Sequence, residues 1–359
     1  MRAAISALLA IALTGCATAP ALSPPPSVVS TLETRARAAG FDGVMLVGEA
    51  DGSHRVIPVG ADPVAPDAVW RWASITKQLA AVIAFQEVER GRLDLDAPVS
   101  RYWPDWRAPN AAKIRIRDLL NHSSGLPQPD ASPADAQGVP AFYRSAAAAP
   151  AQGATEFCAG PARAAPPAAF EYNNCDTIVL AEVLARIAGK PFSELLRERI
   201  AAPLGLKSLD MFEIGKRAAH VAPIGEARDV DPLIDLGVYG ASAGAYGTIE
   251  DLWRFDRALL AGKLLAPATR EAMWTPADPG NYLNAFQWIF PAALAGCAKP
   301  VRVVERQGLV GGIELRNWIM PESGRALILF SRKRPTDLGA TWEGKGLAFD
   351  LLSAVACRP

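Results

Sequence analysis

The 359-residue chain carries 37 lysines and arginines and 37 aspartates and glutamates, so its formal net charge at pH 7 is zero. Half of the residues are hydrophobic and 21% are charged, a composition typical of a globular protein large enough for two lobes. The balanced charge argues against a basic surface for nucleic acid. The lack of a second long apolar run after the N-terminus argues against a membrane-spanning body.

The N-terminus has the features of an export signal. A short charged region precedes residues 3–13, an apolar stretch too short to span a bilayer. Residues 13–16, Leu-Thr-Gly-Cys, resemble the lipoprotein box of bacteria, which implies that residues 1–15 are removed and that Cys16 is lipidated. A plain secretory signal with an incidental cysteine is the alternative.

The residues after this signal suggest where the protein is held. Ala17 differs from the aspartate that lipoprotein boxes use for inner-membrane retention, so we expect an outer-membrane anchor facing the periplasm of a Gram-negative bacterium. Residues 16–30 are rich in Ala, Pro and Ser and are typical of a tether between anchor and domain. We expect a monomer that contacts the membrane only through its lipid.

Four cysteines remain once Cys16 is assigned to the lipid. An even number in an exported chain suggests two disulfides, although four buried thiols are the alternative. Three pairings are open, and pairing by nearness in the chain would join Cys158 to Cys175 and Cys297 to Cys357.

The first predicted elements are a short helix near residues 31–39 and a β-hairpin. Residues 43–50 and 55–60 have strand patterns and are separated by a glycine-containing turn. Apolar residues then recur with a helical period from Ile75, and this helix is expected to end at Gly91.

The middle of the chain is predicted to be helical and the end to return to strands. Residues 128–169 are crowded with Ala and Pro, which favours a long excursion with short helices. Helices are expected at residues 177–187, 192–200 and 248–260, strands at 286–290, 301–304, 316–320 and 326–330, and a last helix at 345–355.

Strands at both ends with helices between them predict an α/β (α+β) fold. One sheet is built from the two termini, and a helical lobe is inserted in the middle. The expected boundaries are residues 31–105 together with 285–359 for the lobe that contains the sheet, and residues 106–284 for the helical lobe.

Ser74 and Lys77 form the one Ser-x-x-Lys sequence in the chain. Ser74 falls at or just before the first turn of the predicted helix, where unpaired N–H groups favour an oxyanion. Lys77 is three residues on and can act as a base if burial keeps it neutral. The motif occurs in β-lactamases and penicillin-binding proteins. A serine N-cap followed by a solvated lysine is the alternative.

A second candidate nucleophile is Ser242, within the Gly-x-Ser-x-Gly sequence at residues 240–244. In α/β-hydrolases the catalytic histidine follows that serine, whereas His54, His122 and His220 all precede it. We therefore interpret residues 240–244 as a glycine-rich turn. The same three histidines, each more simply structural, weaken any Ser-His-Asp triad.

Tyr172 and Asn174 precede a clear helical pattern and offer a second proton carrier and an amide. A tyrosine oxygen beside a lysine ammonium has its anionic form favoured, so Tyr172 could relay protons between Ser74 and Lys77. Asn174 could hold a substrate amide. The alternative is a turn that caps the next helix, and a second Tyr-x-Asn at residues 282–284 shows that the pattern alone is weak.

Six segments taken together resemble the serine β-lactamase-related family, the group of class C β-lactamases, D-alanyl-D-alanine carboxypeptidases and esterases. They occur in the family's order and span about residues 40 to 335: residues 71–78, 91–99, 119–127, 172–174, 203–206 and 242–244. The resemblance implies a mixed, largely antiparallel sheet flanked by helices plus an all-helical lobe, with the site at their junction. It implies Ser74 as acylated nucleophile, Lys77 as its base partner, Tyr172 as second proton carrier and Asn174 as substrate contact.

The family's third motif is altered in this chain. Where Lys-Thr-Gly or His-x-Gly is usual, residues 305–309 place Arg306 at the cationic position and keep Gly308. Arginine can bind a carboxylate in two-point fashion but cannot shuttle a proton, so we expect Arg306 to recognise an anionic substrate. The N–H of Leu309 is expected to complete an oxyanion hole with the N–H of Ser74.

These observations predict a periplasmic serine hydrolase that acts by acyl transfer on a peptide-like, ester or β-lactam carbonyl, without metal or cofactor. The substrate is expected to be a small molecule or a peptidoglycan-like compound. The altered third motif favours esterase or carboxypeptidase activity over efficient β-lactam hydrolysis. The alternative is a protein of the same fold that binds cell-wall or lipid-linked ligands without turnover.

Overall fold

The computed structural model describes residues 26–358 except residues 137, 145–152, 217–220, 222–233, 279, 311 and 333–337. Both ends of the described chain contribute to one seven-stranded antiparallel sheet with the strand order β2-β1-β10-β9-β8-β7-β6. Its strands are β1 (Gly43–Gly48), β2 (His54–Val59), β6 (Leu283–Asn284), β7 (Gln287–Ala292), β8 (Val301–Val310), β9 (Ile313–Met320) and β10 (Arg325–Ser331). The predicted hairpin and the four predicted late strands are all present.

Helices cover both faces of this sheet. Alternate strand residues such as Met45 and Val47 pack against α1 (Pro26–Ala38) and α10 (Gly346–Ala356) on one face. Their neighbours Val44 and Leu46 belong to a larger core on the other face. That core contains α2 (Thr76–Glu89) and α8 (Ile249–Leu260), and the side chain of Thr248 caps α8 by accepting from the N–H of Asp251.

The start of the first helix corrects the expected tether. α1 begins at Pro26, so residues 26–30 are helical and not part of a flexible connection. The predicted signal, the lipid-bearing Cys16 and the rest of the tether lie outside the described residues. None of the helices in the described part of the chain is long and apolar enough to cross a membrane.

α2 is buried on all sides and not along one face as its pattern suggested. Every residue from Thr76 to Glu87 is buried, because the helix runs between the sheet and the helices of the middle segment. The predicted end is confirmed: Gly91 follows the helix with a φ of 66°, a conformation that glycine adopts at low cost.

The described chain between α2 and β6 contains helices and two short strands, so the lobe predicted in the middle of the chain is not wholly helical as expected. β4 (Asp210–Met211) and β5 (Ala245–Gly247) pair with β3 (Trp70–Arg71) in a second, three-stranded sheet. The helices are α3 (Val99–Tyr102), α4 (Ile116–Leu120), α5 (Asn174–Ala188), α6 (Phe192–Leu196), α7 (Ala202–Leu204) and α9 (Pro267–Met273). In the helix predicted at residues 192–200, the second half is a π-helical turn, Arg197–Ala201.

Two disulfides link an end of a helix to a neighbouring loop. Cys158 is bonded to Cys175 at the start of α5, and Cys297, after β7, is bonded to Cys357 at the end of α10. This is the pairing by nearness among the three that the sequence left open. The first disulfide fixes the excursion at residues 153–158 against the helix whose first turn carries Asn174.

Candidate active site

Ser74 lies in a tight turn that joins the small sheet to α2. The turn, Ala73–Ile75, is a 3-10 helix directly before Thr76, so Ser74 is where the helical period predicted it. Ala73 has a φ of 46°, a left-handed conformation that costs a non-glycine residue about 1 kcal/mol or more. This strained residue turns Ser74 toward the junction of the sheet and the middle helices.

The hydroxyl of Ser74 contacts both proton-carrying side chains that the sequence proposed for it. Its Oγ lies 2.6 Å from the Tyr172 hydroxyl and accepts a hydrogen bond from Lys77 Nζ at 3.2 Å. Ser74 makes no side-chain cap of α2, and Lys77 is fully buried. The alternative of a serine cap followed by a solvated lysine is therefore wrong.

Lys77 is held by a set of oxygen atoms inside the protein. Its Nζ donates to Asn174 Oδ1 and to the backbone oxygen of Ser242, both at 2.7 Å. Burial lowers the pKa of Lys77 from its ordinary value, and the charge of Arg306 lowers it further, while the phenol of Tyr172 opposes these effects. Burial thus makes this amine easier to deprotonate than a lysine in water, while its charge, when present, acts on the neighbouring Tyr172.

Tyr172 is placed between two cations. Burial by itself would raise the pKa of the phenol, but the charges of Lys77 and Arg306 outweigh burial and lower the pKa below its ordinary value. Arg306 Nη2 donates to the hydroxyl at 3.0 Å, and Lys77 Nζ lies 4.8 Å from the ring centroid. The phenol that touches Ser74 is therefore prepared to accept a proton.

The guanidinium of Arg306 is turned toward protein groups. Apart from the bond to Tyr172, it donates to the backbone oxygens of Ser74 at 3.0 Å, Gln307 at 3.1 Å and Phe286 at 2.6 Å. The residue is only 4% exposed. This arrangement leaves little of the guanidinium for a substrate carboxylate, and that expected role stays a prediction.

Asn174 is also engaged by the protein at both ends of its amide. Its oxygen accepts from Lys77, and its nitrogen donates to the Tyr143 hydroxyl at 2.8 Å and to Asp130 at 3.3 Å. Gln128 fixes the same loop, because its amide donates to the backbone oxygen of Tyr172 and accepts from the N–H of Asn174. Contact of Asn174 with a substrate stays a prediction.

Gly308 brings β8 close to the turn that carries Ser74. A Cβ at this position would lie 2.7 Å from the backbone oxygen of Trp72 and 3.2 Å from Ala73 Cβ, so a side chain would separate the strand from the turn. β7 pairs with β8 only as far as Glu305, and Leu309 beyond it is exposed. The role of the Leu309 N–H in an oxyanion hole stays a prediction.

His122 is a site neighbour that the sequence did not reveal. Its Nδ1 lies 2.9 Å from Asp176 Oδ2, and its ring lies 4.8 Å from the Tyr172 ring. Burial, with the charges of Lys77 and Arg306, lowers the pKa of His122 well below its ordinary value, which favours the neutral ring. The available signal was the position of Asp176, two residues after Asn174.

The remaining candidates lie apart from the chemistry. Ser242 donates its hydroxyl to the backbone oxygen of Tyr239 and contributes only its own backbone oxygen to Lys77, which fits the expected structural turn. His54 lies on β2 beside Glu250, and His220 lies outside the described residues. Tyr282 of the second Tyr-x-Asn is 43% exposed. Within the described part of the chain, no group of three or more His, Cys, Asp or Glu is placed to hold a metal ion.

Comparisons with known proteins place this geometry in context. The profile of the beta-lactamase family matches residues 30–346. The putative penicillin-binding protein PbpX of Bacillus subtilis is 24% identical over 72% of this chain and 60% of its own length. The D-alanyl-D-alanine-carboxypeptidase/endopeptidase AmpH of Escherichia coli is 30% identical over 54% of this chain and 50% of its own length. The chain thus spans half to three fifths of these curated relatives.

A solved structure supports the fold. The D-amino acid amidase from Ochrobactrum anthropi, in complex with L-phenylalanine amide, superimposes with a TM-score of 0.74 at 23% identity, covering 92% of this chain and 98% of that chain. At this level of identity the likeness concerns the arrangement of the strands and helices.

Proposed function

The chain belongs to the beta-lactamase family, and from that membership we propose that it is a serine hydrolase that acts through an acyl-enzyme, with Ser74 as the nucleophile. One observation carries the proposal: Ser74 Oγ lies within hydrogen-bonding distance of both the Tyr172 phenol and the Lys77 amine. Both groups have lowered pKa values, which is what a base acting on a serine hydroxyl requires.

The proposed first step is attack of Ser74 on a carbonyl carbon. Its proton passes to Tyr172, whose phenolate is favoured by Lys77 and Arg306, and the phenol then donates a proton to the departing group. The N–H groups of Ser74 and Leu309 would stabilise the oxyanion. Water attacks the resulting ester in the second step and loses its proton to the same base.

The substrate class is proposed as a small amide, ester or β-lactam. AmpH is a carboxypeptidase and endopeptidase, and PbpX is a putative penicillin-binding protein, so related chains act on or bind peptide-like compounds. An exported, lipid-anchored protein that faces the periplasm fits such substrates, and that location is part of the proposal.

Labelling of the nucleophile tests this function. The protein without residues 1–25 is incubated with a fluorophosphonate and with fluorescent penicillin, and the adduct is mapped by mass spectrometry. We expect an adduct on the peptide that contains Ser74, not on the one that contains Ser242, together with hydrolysis of p-nitrophenyl esters. Ser74→Ala should abolish both signals, whereas Ser323→Ala, in the turn after β9, should not.

The opposite result would favour the alternative of a binding protein. A folded chain that gives no adduct with either reagent and no ester hydrolysis above the Ser74→Ala variant contradicts the proposal. Ester hydrolysis without penicillin labelling would keep the hydrolase and exclude β-lactams from its substrates.

A further inference from the structure

Asp130 is a carboxylate at the candidate site that the proposed mechanism does not use. It is exposed, and it accepts hydrogen bonds from the Tyr143 hydroxyl and from Asn174 Nδ2 at 3.3 Å. Asn174 Oδ1, at the other end of the same amide, accepts a hydrogen bond from Lys77 Nζ. Only one amide side chain therefore separates this carboxylate from the amine that contacts Ser74.

The hydrogen-bond partners of Asp130 are neutral, although its charge also acts on the buried Lys77. Among the described residues it is hydrogen-bonded by these two neutral donors, and no lysine or arginine forms an ion pair with it. An exposed carboxylate beside a reaction centre, with neutral donors on one side only, can accept a positively charged ligand from the open side.

Aromatic rings stand next to this carboxylate. Tyr143 stacks on Tyr239 with 4.1 Å between the ring centroids and 13° between the planes. The Tyr143 hydroxyl donates to Asp130, which places the carboxylate beside this ring pair, and the charge of Asp130 adds to burial in raising the pKa of Tyr239. A carboxylate combined with aromatic faces is the usual environment for an ammonium group.

The two cations of the site are already engaged by protein groups. Lys77 is fully buried, and the nearly buried guanidinium of Arg306 donates to three backbone oxygens and to Tyr172. Neither of them is open to a carboxylate on the departing part of a substrate. The exposed charge at the site is therefore the negative charge of Asp130.

We propose that the site accepts substrates whose acyl part carries a primary ammonium, bound by Asp130 beside Tyr239, and whose leaving group is uncharged. The inference rests on the proposed function and names its substrate class: amides or esters of amino acids. Ser74 forms an ester with the acyl carbon as the bond to the leaving group breaks, and the leaving group takes the serine proton. Water then releases the amino acid.

The test compares matched p-nitroanilides on one enzyme. The acyl groups are glycyl, β-alanyl and 4-aminobutyryl, each with its N-acetyl partner, and succinyl as an anionic acyl group. For each compound we measure kcat/KM by p-nitroaniline release, and we measure protection of Ser74 against a fluorophosphonate, which reports binding even where turnover is slow. The three chain lengths place the ammonium at three different distances from the carbonyl carbon.

We expect at least one free amine to exceed its N-acetyl partner by about tenfold or more, which corresponds to ~1.4 kcal/mol. Asp130→Asn, which keeps the hydrogen-bond acceptor, should bring this ratio close to one. Because the ratio compares two substrates on one enzyme, any change in the basicity of Lys77 or Tyr172 cancels. Asp62→Asn, which neutralises an exposed carboxylate beyond the opposite edge strand β2, should leave the ratio unchanged.

The outcomes separate the two proposals. If Ser74 is labelled but every amine ratio is near one, or Asp130→Asn leaves the ratio unchanged, or the succinyl compound is preferred, the inference is wrong and the hydrolase stands. If Ser74 is not labelled by the fluorophosphonate and no ester is hydrolysed, the hydrolase itself is wrong.

Discussion

The hydroxyl of Tyr172 lies 2.6 Å from Oγ of Ser74, although the two residues are 98 positions apart in the chain. The phenol is half-buried, and its ring also contacts His122 and lies 5.3 Å from the Arg306 guanidinium. Burial of an isolated phenol would hold its proton, so the two neighbouring cations decide that it can act as a base. The predictions below follow from this arrangement.

Tyr172→Phe should remove the base and keep the packing. The ring and its contacts with His122 remain, while the oxygen that accepts the serine proton is lost. We expect kcat/KM for p-nitrophenyl esters to fall by about 10²–10⁴-fold, the usual contribution of a positioned acid-base group, with little change in the melting temperature. An enzyme that retained a third of its activity would contradict the role of Tyr172.

Arg306→Gln should move the pH dependence of activity. The charge of Arg306 lowers the pKa of both Tyr172 and Lys77, so its removal raises both, and the rise of kcat/KM with pH should shift to higher pH. At pH 7 we expect a loss on the order of tenfold or more, the range for a hydrogen bond to a charged group. Arg306→Lys keeps the charge and serves as the control, with a profile closer to that of the unmodified protein. A profile that did not move in the Gln variant would show that the guanidinium only supports the backbone.

Lys77→Met should prevent acylation of Ser74 in a folded protein. The side chains are similar in length, but the variant cannot donate to Asn174 or to the backbone oxygen of Ser242. Fluorophosphonate labelling should fall to the level of Ser74→Ala while circular dichroism stays native. Lys207→Met, an exposed lysine, is the matched control and should label normally. Normal labelling of Lys77→Met would exclude Lys77 from activation of the serine.

Gly308→Ala should distort the site through the backbone. The new Cβ would meet the backbone oxygen of Trp72 at 2.7 Å, and a backbone atom cannot move aside as a flexible side chain can. We expect a loss of about 1–3 kcal/mol in the free energy of unfolding, typical of overpacking, with reduced kcat/KM. In Gly280→Ala the nearest atom lies 3.6 Å away, so no comparable loss is expected. Equal stability of the two variants in urea would contradict this close approach.

Asp256→Asn should stabilise the protein at neutral and alkaline pH. Asp256 is fully buried, and burial raises its pKa well above the ordinary value, with Asn317 as its hydrogen-bond donor. The folded state therefore keeps a proton that the unfolded chain loses above about pH 4, so this residue costs stability as the pH rises toward its folded pKa. In urea unfolding at pH 4, 6 and 8, the free energy of unfolding of the variant should exceed that of the unmodified protein by a margin that grows with pH. A constant margin for Asp256→Asn across these pH values would show that the carboxyl is not protonated in the fold.

Features that depend on neighbours in the chain were predictable from the sequence. The helix that begins after Ser74 places Lys77 one turn away, and its end at Gly91 follows from backbone preferences of single residues. The alternating strands at the two ends were enough to predict a sheet built from both termini. The family pattern added Tyr172 and Asn174, which local chemistry alone left ambiguous.

The directions of the polar side chains were decided only by the tertiary structure. The position of β8 beside the Ser74 turn directs Arg306 at Tyr172 and at three backbone oxygens, contacts that the sequence did not predict. Asp130 lies in a stretch without a clear period, and its place next to Asn174 could not be foreseen. Periodicity reports local hydrogen bonding and burial, whereas these contacts depend on which distant loops and strands pack together. The sequence therefore identified Ser74 as the candidate nucleophile, and the fold determined the electrostatic surroundings of this residue.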